Sequence, residues 1–273
     1  MVDPDLKTIH AMERSPNLIE SLGLGTREMI SLVGAGGKTT LMFRLARELV
    51  QKGKQVVTTT TTKILEPSAE EAPSLFIDSE EECIRQFVRG HLSRSPSITI
   101  ARERLESGKL RGISSGFASE LWKEELIDYL IVEADGAAGR PVKAPREGEP
   151  VFPAETTLTI ALLGVDGMGL ELKEENVFRW ENVSRLTGIP RGGPVTDEAM
   201  AILLTHPRGI FMGMPVSSRV IVFLNKVDVF DGRERGRRIA QRVLNKRHHQ
   251  IERIVLGQLK REPPVVEVIV AKH

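Results

Sequence analysis

The stretch that most restricts what this chain can fold into runs from Met29 to Gly53, MISLVGAGGKTTLMFRLARELVQKG. It opens with Met29 to Val33, an apolar run of the length and composition of a buried strand. Gly34-Ala35-Gly36-Gly37 makes a glycine turn, followed by Lys38, Thr39 and Thr40. Beyond the turn the period becomes helical. Leu41, Leu45 and Leu49 recur every four residues with Met42 and Ala46 beside them, while Arg44, Arg47 and Glu48 fall on the other face. Gly53 stands where a glycine ends a helix. Strand, glycine turn, lysine-threonine and helix together form a phosphate-binding loop. Glycines let the backbone N–H groups of residues 34–40 curl around oxyanions, and the helix N-terminus adds partial positive charge. Lys38 is expected to reach the β- and γ-phosphates, and the Thr39 hydroxyl to ligate Mg²⁺.

The long form of this motif has glycine where the chain has Leu32. The shorter G-x-x-G-K-T-T form resembles the ATP loop of the Mur ligases. A chain of 273 residues with 40% hydrophobic and 27% charged side chains can bury a sizeable core. The reading is a single α/β domain over residues 1–273, with residues 140–215 as a small cap over the site. A net charge of +1 gives no overall attraction to nucleic acid or an anionic membrane. No apolar run approaches the roughly 18–20 residues of a membrane span, and the polar start MVDPDLKTIHAMERS is not that of a signal peptide, so a cytoplasmic protein is expected. A lone Cys83 excludes an internal disulfide and fits a reducing compartment. Three glutamates precede it and disfavour a thiolate, which predicts a half-buried helix residue.

Residues 5–24 read as a helical lead-in. Gln55 to Val57 starts a second strand that runs into Thr58 to Thr62 and Lys63. In open α/β sheets ligands bind beyond the carboxyl ends of strands, so Thr60, Thr61 and Lys63 are candidates for touching phosphate, Mg²⁺ or substrate. Leu75 to Ile77 and Ser97 to Ala101 read as short strands, with a helix capped by Ser79 between them and a polar helix after them. An apolar strand from Tyr129 ends in Glu133-Ala134-Asp135. The two carboxylates alternate by two and face one side. Asp135 is the candidate to hold Mg²⁺ and Glu133 to orient a water or hydroxyl nucleophile. The loop Gly136 to Pro145 carries Arg140 and Lys143, candidates for an anionic substrate. Thr156 to Leu163 is a further strand ending at Gly164-Val165-Asp166-Gly167, and a helix opens at Thr196-Asp197-Glu198.

Arg219 to Leu224 is a buried strand ending in Asn225-Lys226-Val227-Asp228. N-K-x-D at a strand end resembles the guanine-recognition element of GTPases. There Asp228 would accept from the guanine N1–H and amino group, and the Lys226 stem would pack across the base. Residues 232–255 read as one basic cover helix, with Ile239, Val243, Ile251 and Ile254 inward and the charges in solvent. His248 and His249 would point apart on such a helix, and no zinc site is assigned. Val265 to Val270 is a last strand, and Ala271-Lys272 after it matches a second base-contacting element of GTPases.

GAGGKTT, VVTTTTTKI, IVEADGAAGRPVKAP, LLGVDGMG and LNKVD occur in this order, from Met29 to Asp228. Together they resemble the YqeC family of selenium-dependent hydroxylase accessory proteins, with EADGA followed by KAP the most distinctive part. The family pattern has histidines where this chain has Glu149 and Phe178. The resemblance implies a nucleotide-binding protein that serves the maturation of selenium-containing molybdenum hydroxylases, with such a hydroxylase or its cofactor-maturation proteins as partners. The expected fold is a three-layer α/β sandwich, a mostly parallel sheet of P-loop type with helices on both faces. The expected activity is Mg²⁺-dependent hydrolysis of GTP or ATP, with Lys38, Glu133 and Asp135 as catalytic residues. Two alternatives stand beside it: an ATP-dependent ligase or kinase with a Mur-like loop, and a nucleotide-gated chaperone or carrier with little turnover.

Overall fold

The computed structural model describes residues 8, 9, 17–246, 248 and 250–270. The first third of the chain carries β1 (Thr8–Ile9), α1 (Leu18–Ser21), β2 (Glu28–Gly34), α2 (Lys38–Gln51), β3 (Val56–Thr60), β4 (Lys63–Leu65), β5 (Leu75–Ile77) and α3 (Glu81–His91). The middle adds β6 (Ser97–Ala101), β7 (Glu103–Arg104), β8 (Lys109–Arg111), α4 (Ser115–Trp122), β9 (Tyr129–Glu133), β10 (Val142–Lys143), β11 (Leu158–Gly164) and β12 (Val177–Phe178). The remainder holds α5 (Trp180–Thr187), α6 (Asp197–Thr205), β13 (Arg219–Asn225), α7 (Gly232–Asn245), β14 (Ile251–Gly257) and β15 (Val265–Val270).

One sheet of order β1-β15-β14-β13-β11-β2-β9-β3-β6-β5 organises these elements. From β14 to β5 all neighbours are parallel, and β15 runs against β14. Strands buried on both faces read as continuous apolar runs. Every residue of β2 and β11 is accordingly buried. Ile30, Leu32, Ile131, Ile160 and Leu162 pack with Leu41, Met42 and Leu45 of α2 on one face. On the other face Leu163, Val222 and Leu224 meet α6 and α7, and Met29, Val57 and Leu130 meet α3 and α4. Helices therefore cover both faces of a mostly parallel sheet, as the sequence predicts.

The register sets the site. Leu32 and Thr60 both pair with Glu133, Gly34 pairs with Leu162, and Gly164 pairs with Asn225. The carboxyl ends of β3, β9, β2, β11 and β13 thus form one edge. Of residues 140–215, β11 is a central strand of the sheet, and α5 and α6 pack in the apolar cluster beside α7.

Four local expectations are corrected. The polar helix expected after Ala101 is instead β7 and β8, which join β4 in a small antiparallel sheet. The long basic helix stops at Asn245, and Ile251 and Ile254 belong to β14, where β-branched residues fill a strand between β13 and β15. The N-cap of α3 is Glu80, not Ser79, because the Asp78 carboxylate accepts the Glu80 N–H at 2.8 Å and turns the chain one residue later. Cys83 is exposed on the outer side of α3, while Ile84 and Val88 face inward. Within the lead-in, only β1 and the helix Leu18–Ser21 fall among the described residues, and residues 10–16 lie outside them. The basic side chains of α7 are paired within the protein. Arg237 donates to Glu267 at 3.0 Å and Lys246 to Glu198 at 2.7 Å.

Phe223 in β13 is fully buried, and its ring lies against Gly257. Truncating such a ring leaves a cavity that the packed sheet cannot close, so Phe223→Ala is expected to lower stability by about 3–5 kcal/mol in denaturant unfolding.

Candidate functional site

The glycine turn between β2 and α2 is held by close backbone approach. A Cβ on Gly34 (φ +91°) would lie 2.3 Å from the Leu162 carbonyl oxygen, and one on Gly36 (φ +81°) would lie 2.4 Å from the Gly164 nitrogen. Only glycine fits there on both counts, shape and dihedral. Gly37 caps α2 without a side chain, so no side chain takes up the N–H groups of its first turn. Two amides of the expected cradle are already engaged. The Gly34 N–H donates to Asp135 Oδ2 at 3.0 Å and the Ala35 N–H to the Leu162 carbonyl at 2.8 Å. The N–H groups that remain for an anion are those of residues 36–40, the end of the turn and the first turn of α2, which a helix leaves without an internal partner.

Four charged side chains converge under the turn. Lys38 Nζ donates to the Gly34 carbonyl at 2.6 Å and lies 3.2 Å from Asp135 Oδ1 and 3.5 Å from Glu133 Oε1. The contact to Asp135 Oδ1 has ion-pair distance without hydrogen-bond alignment, and that oxygen has no hydrogen-bond partner. Thr39 Oγ1 donates to Glu133 Oε2 at 2.7 Å. Lys143, 0% exposed, donates to Asp135 Oδ2 at 2.7 Å and to the Gly136 carbonyl at 2.6 Å. Both lysines and both carboxylates are buried.

Burial pulls Lys38 toward its neutral form, but Asp135 and Glu133 outweigh it and hold the ammonium above its ordinary pKa. Glu133 moves up, because burial exceeds the pull of Lys38 and the Thr39 hydroxyl. Lys143 moves down, since burial, aided by Lys38, exceeds the hold of Asp135.

The other sequence candidates distribute unevenly. Thr60 Oγ1 donates to the Glu133 carbonyl and Thr61 Oγ1 to the Val151 carbonyl, both at 2.7 Å, so these hydroxyls brace the acidic strand end. Lys63 is exposed on β4, and Arg140 Nε donates to the Glu174 carbonyl at 3.2 Å. Asn225 ties two loops together: Nδ2 donates to the Gly36 carbonyl at 2.8 Å and Oδ1 accepts from the Leu259 N–H at 3.0 Å. Lys226, at φ +67°, holds Asp166 at 2.7 Å, and Asp228 lies 3.5 Å from Arg261. Ala271 and Lys272 lie outside the described residues. The described end of β15, Val270, pairs with Arg253 near the start of β14, at the opposite end of the sheet from the site. The loop beside Asn225 and Val227 is instead the one after β14, where Val227 N–H meets the Gly257 carbonyl.

Sequence reasoning missed three participants. Asp166 was legible only as a strand-end acid, and Arg261 and Leu259 carried no motif. The partnership of Glu149 with Arg179, at 2.7 Å, joins residues thirty positions apart and leaves no local signal.

The family model of the YqeC protein matches residues 30–181. The uncharacterized protein YqeC of Escherichia coli (strain K12) is 30% identical over 251 residues, covering 91% of this chain and 94% of that protein. The chain belongs to the YqeC family. Among solved structures it is similar to the signal recognition particle 54 kDa protein of Aeropyrum pernix K1 in complex with GDP, with TM-score 0.36, 14% identity and coverage of 85% of this chain and 42% of that one. It is also similar to FtsY of Mycoplasma mycoides, with TM-score 0.38, 11% identity and coverage of 90% and 63%. The chain spans less than two thirds of the length of either structure.

In this YqeC-family chain Glu149 and Arg179 form an ion pair beside the site. Burial pushes the Glu149 carboxyl up, but Arg179, then Lys143 and Arg146, outweigh it and hold it below the ordinary value of 4.5. A depressed carboxylate contributes stability above its unfolded pKa and loses it as pH falls through the folded one. Wild type is therefore expected to lose stability below about pH 4.5 more steeply than Glu149→Gln, which pH-dependent denaturant unfolding would measure. Parallel acid limbs for the two proteins would refute the pairing.

Proposed function

We propose that this YqeC-family protein binds a nucleoside triphosphate with Mg²⁺ at the turn between β2 and α2, hydrolyses it, and does so in the maturation of selenium-containing molybdenum hydroxylases. The observation that carries the reading is the convergence of Lys38, Thr39, Glu133 and Asp135 on one glycine turn. The N–H groups of residues 36–40 and the Lys38 ammonium hold phosphate oxygens. Thr39 and Asp135 are the residues suited to Mg²⁺: a hydroxyl and a carboxylate whose Oδ1 is buried without a hydrogen-bond partner. The ion would supply charge neutralisation at the phosphates. Lys143, 2.7 Å from Asp135 Oδ2, fixes that carboxylate in place. Glu133, made more basic by burial, orients the attacking water or hydroxyl and accepts its proton.

On the base side, Asn225 braces the turn, and Asp228, three residues past β13 and 3.5 Å from Arg261, would accept from a guanine. GTP is the preferred nucleotide in this reading and ATP the runner-up. The maturation role and the hydroxylase partner are supported by family membership alone.

Lys38→Ala is expected to weaken triphosphate binding about 10- to 100-fold, the about 1.5–3 kcal/mol of a charge-assisted contact. Calorimetry with GTP and ATP on a variant that keeps its circular dichroism spectrum is the measurement. Unchanged affinity for both nucleotides would sink the phosphate-loop assignment.

A site that hydrogen-bonds a substrate group can reject the analogue lacking it by up to roughly 10⁴–10⁵, and less where the group is exposed as Asp228 is. Asp228→Asn should lower GTP affinity and raise that of xanthosine triphosphate in competition binding. Equal ATP and GTP affinities, unmoved by the substitution, would move the ATP-dependent reading ahead.

A further inference from the structure

Beside the acidic strand end, a cavity of about 850 Å³ opens between residues 145–152 and α5. Its volume is that of a small-molecule site. It is joined to the charge cluster by fixed links. The Val151 N–H donates to the Ala134 carbonyl at 2.9 Å, and the Val151 carbonyl accepts from Thr61. Asn182 Nδ2 of α5 donates to the Pro145 carbonyl at 2.7 Å. β10 pairs with β12 so that Lys143, the partner of Asp135, stands opposite Phe178 at the entrance to α5. One wall of the cavity is therefore the continuation of the loop that leaves Asp135.

The charges lining it are unequal in commitment. Glu149 is held by Arg179 at 2.7 Å and by Arg146 at 3.0 Å. Glu147 is exposed at the rim. Among the described residues Arg185 makes a single 3.3 Å contact, to Asn182 Oδ1. The Arg208 guanidinium has no ion pair or hydrogen bond among the described residues; only its backbone N–H is engaged, with His206. Phe152 and Met212 supply apolar lining. Two exposed guanidinium forks, one weakly engaged and one without a partner among the described residues, beside an apolar lining match a small molecule that carries an oxyanion. Arg140 and Lys143, expected from sequence to hold such an anion, are instead engaged with the Glu174 carbonyl and with Asp135.

We propose that this cavity binds a small molecule bearing a phosphate or a carboxylate, with Arg185 and Arg208 as its anion-holding residues. It would be the second ligand of the nucleotide site, and that one description rests on the function proposed above. The cavity's own binding does not.

The test is calorimetric titration of inorganic pyrophosphate and of citrate, in magnesium-free buffer, into wild type, Lys38→Ala, Arg185→Glu/Arg208→Glu and the milder Arg185→Gln/Arg208→Gln. At least one anion should occupy a site that Lys38→Ala retains and that both arginine variants weaken at least tenfold. Pyrophosphate alone behaving so assigns a phosphate ligand, and citrate alone a carboxylate; either supports the cavity. If the arginine variants bind as wild type does, or if no site survives Lys38→Ala, the proposal is overturned. A further pyrophosphate site lost only in Lys38→Ala belongs to the phosphate loop, and its absence from wild type would count against that loop while leaving the cavity standing. The two readings therefore fail separately.

Discussion

Two lysines and two carboxylates buried together at the carboxyl edge of the sheet are the constraint on which the rest of this structure depends. A lone charge in that setting would be prohibitively costly, so each must be paired and hydrogen-bonded. Lys38 supplies the link between α2 and the acidic strand, and Lys143 the link between that strand and the loop beyond it. Asp135 receives Lys38, Lys143 and the Gly34 N–H, which ties the glycine turn to the same point. Removing one partner leaves the others unmatched, and one buried cluster therefore fixes a turn, a helix start and a loop at once.

The backbone has to let those groups meet. Gly34 and Gly36 lie against the backbone of residues 162–164, and a Cβ at either would force the turn off the β11 end. Asn225 finishes the frame by holding Gly36 and Leu259 from its two side-chain atoms. The basic stretch of α7 belongs to the same economy of pairing. Its cations close onto Glu267 and Glu198, so helix packing, not a free positive surface, accounts for them.

The acidic strand end then looks two ways. Toward α2 it faces the glycine turn and the uncapped helix N-terminus. Away from it, the loop from Asp135 runs through Lys143 to the cavity wall at Pro145 and Val151, pinned to α5 by Asn182. The Asp135–Lys143 ion pair, the two residues of β10 and the Asn182 hydrogen bond thus join the charge cluster to the cavity wall.

What the sequence determined by itself was whatever depends on short range. Met29 to Gly53 encoded strand, turn and helix through local period and glycine dihedrals, and Glu133 with Asp135 read as a same-side acidic pair at a strand end. The parallel sheet followed from the same apolar runs. Tertiary structure alone decided the identity of β14, because Ile251 and Ile254 satisfy either a helix face or a strand until β13 and β15 offer their edges. It also decided the roles of the threonines and of the second lysine. Thr60 and Thr61 could have faced a ligand, but the register with Glu133 and the return of Val151 gave their hydroxyls carbonyl partners. Lys143 reads as a loop cation in sequence, and it becomes a buried counter-ion only because the chain folds back over Asp135, a contact that no local pattern encodes.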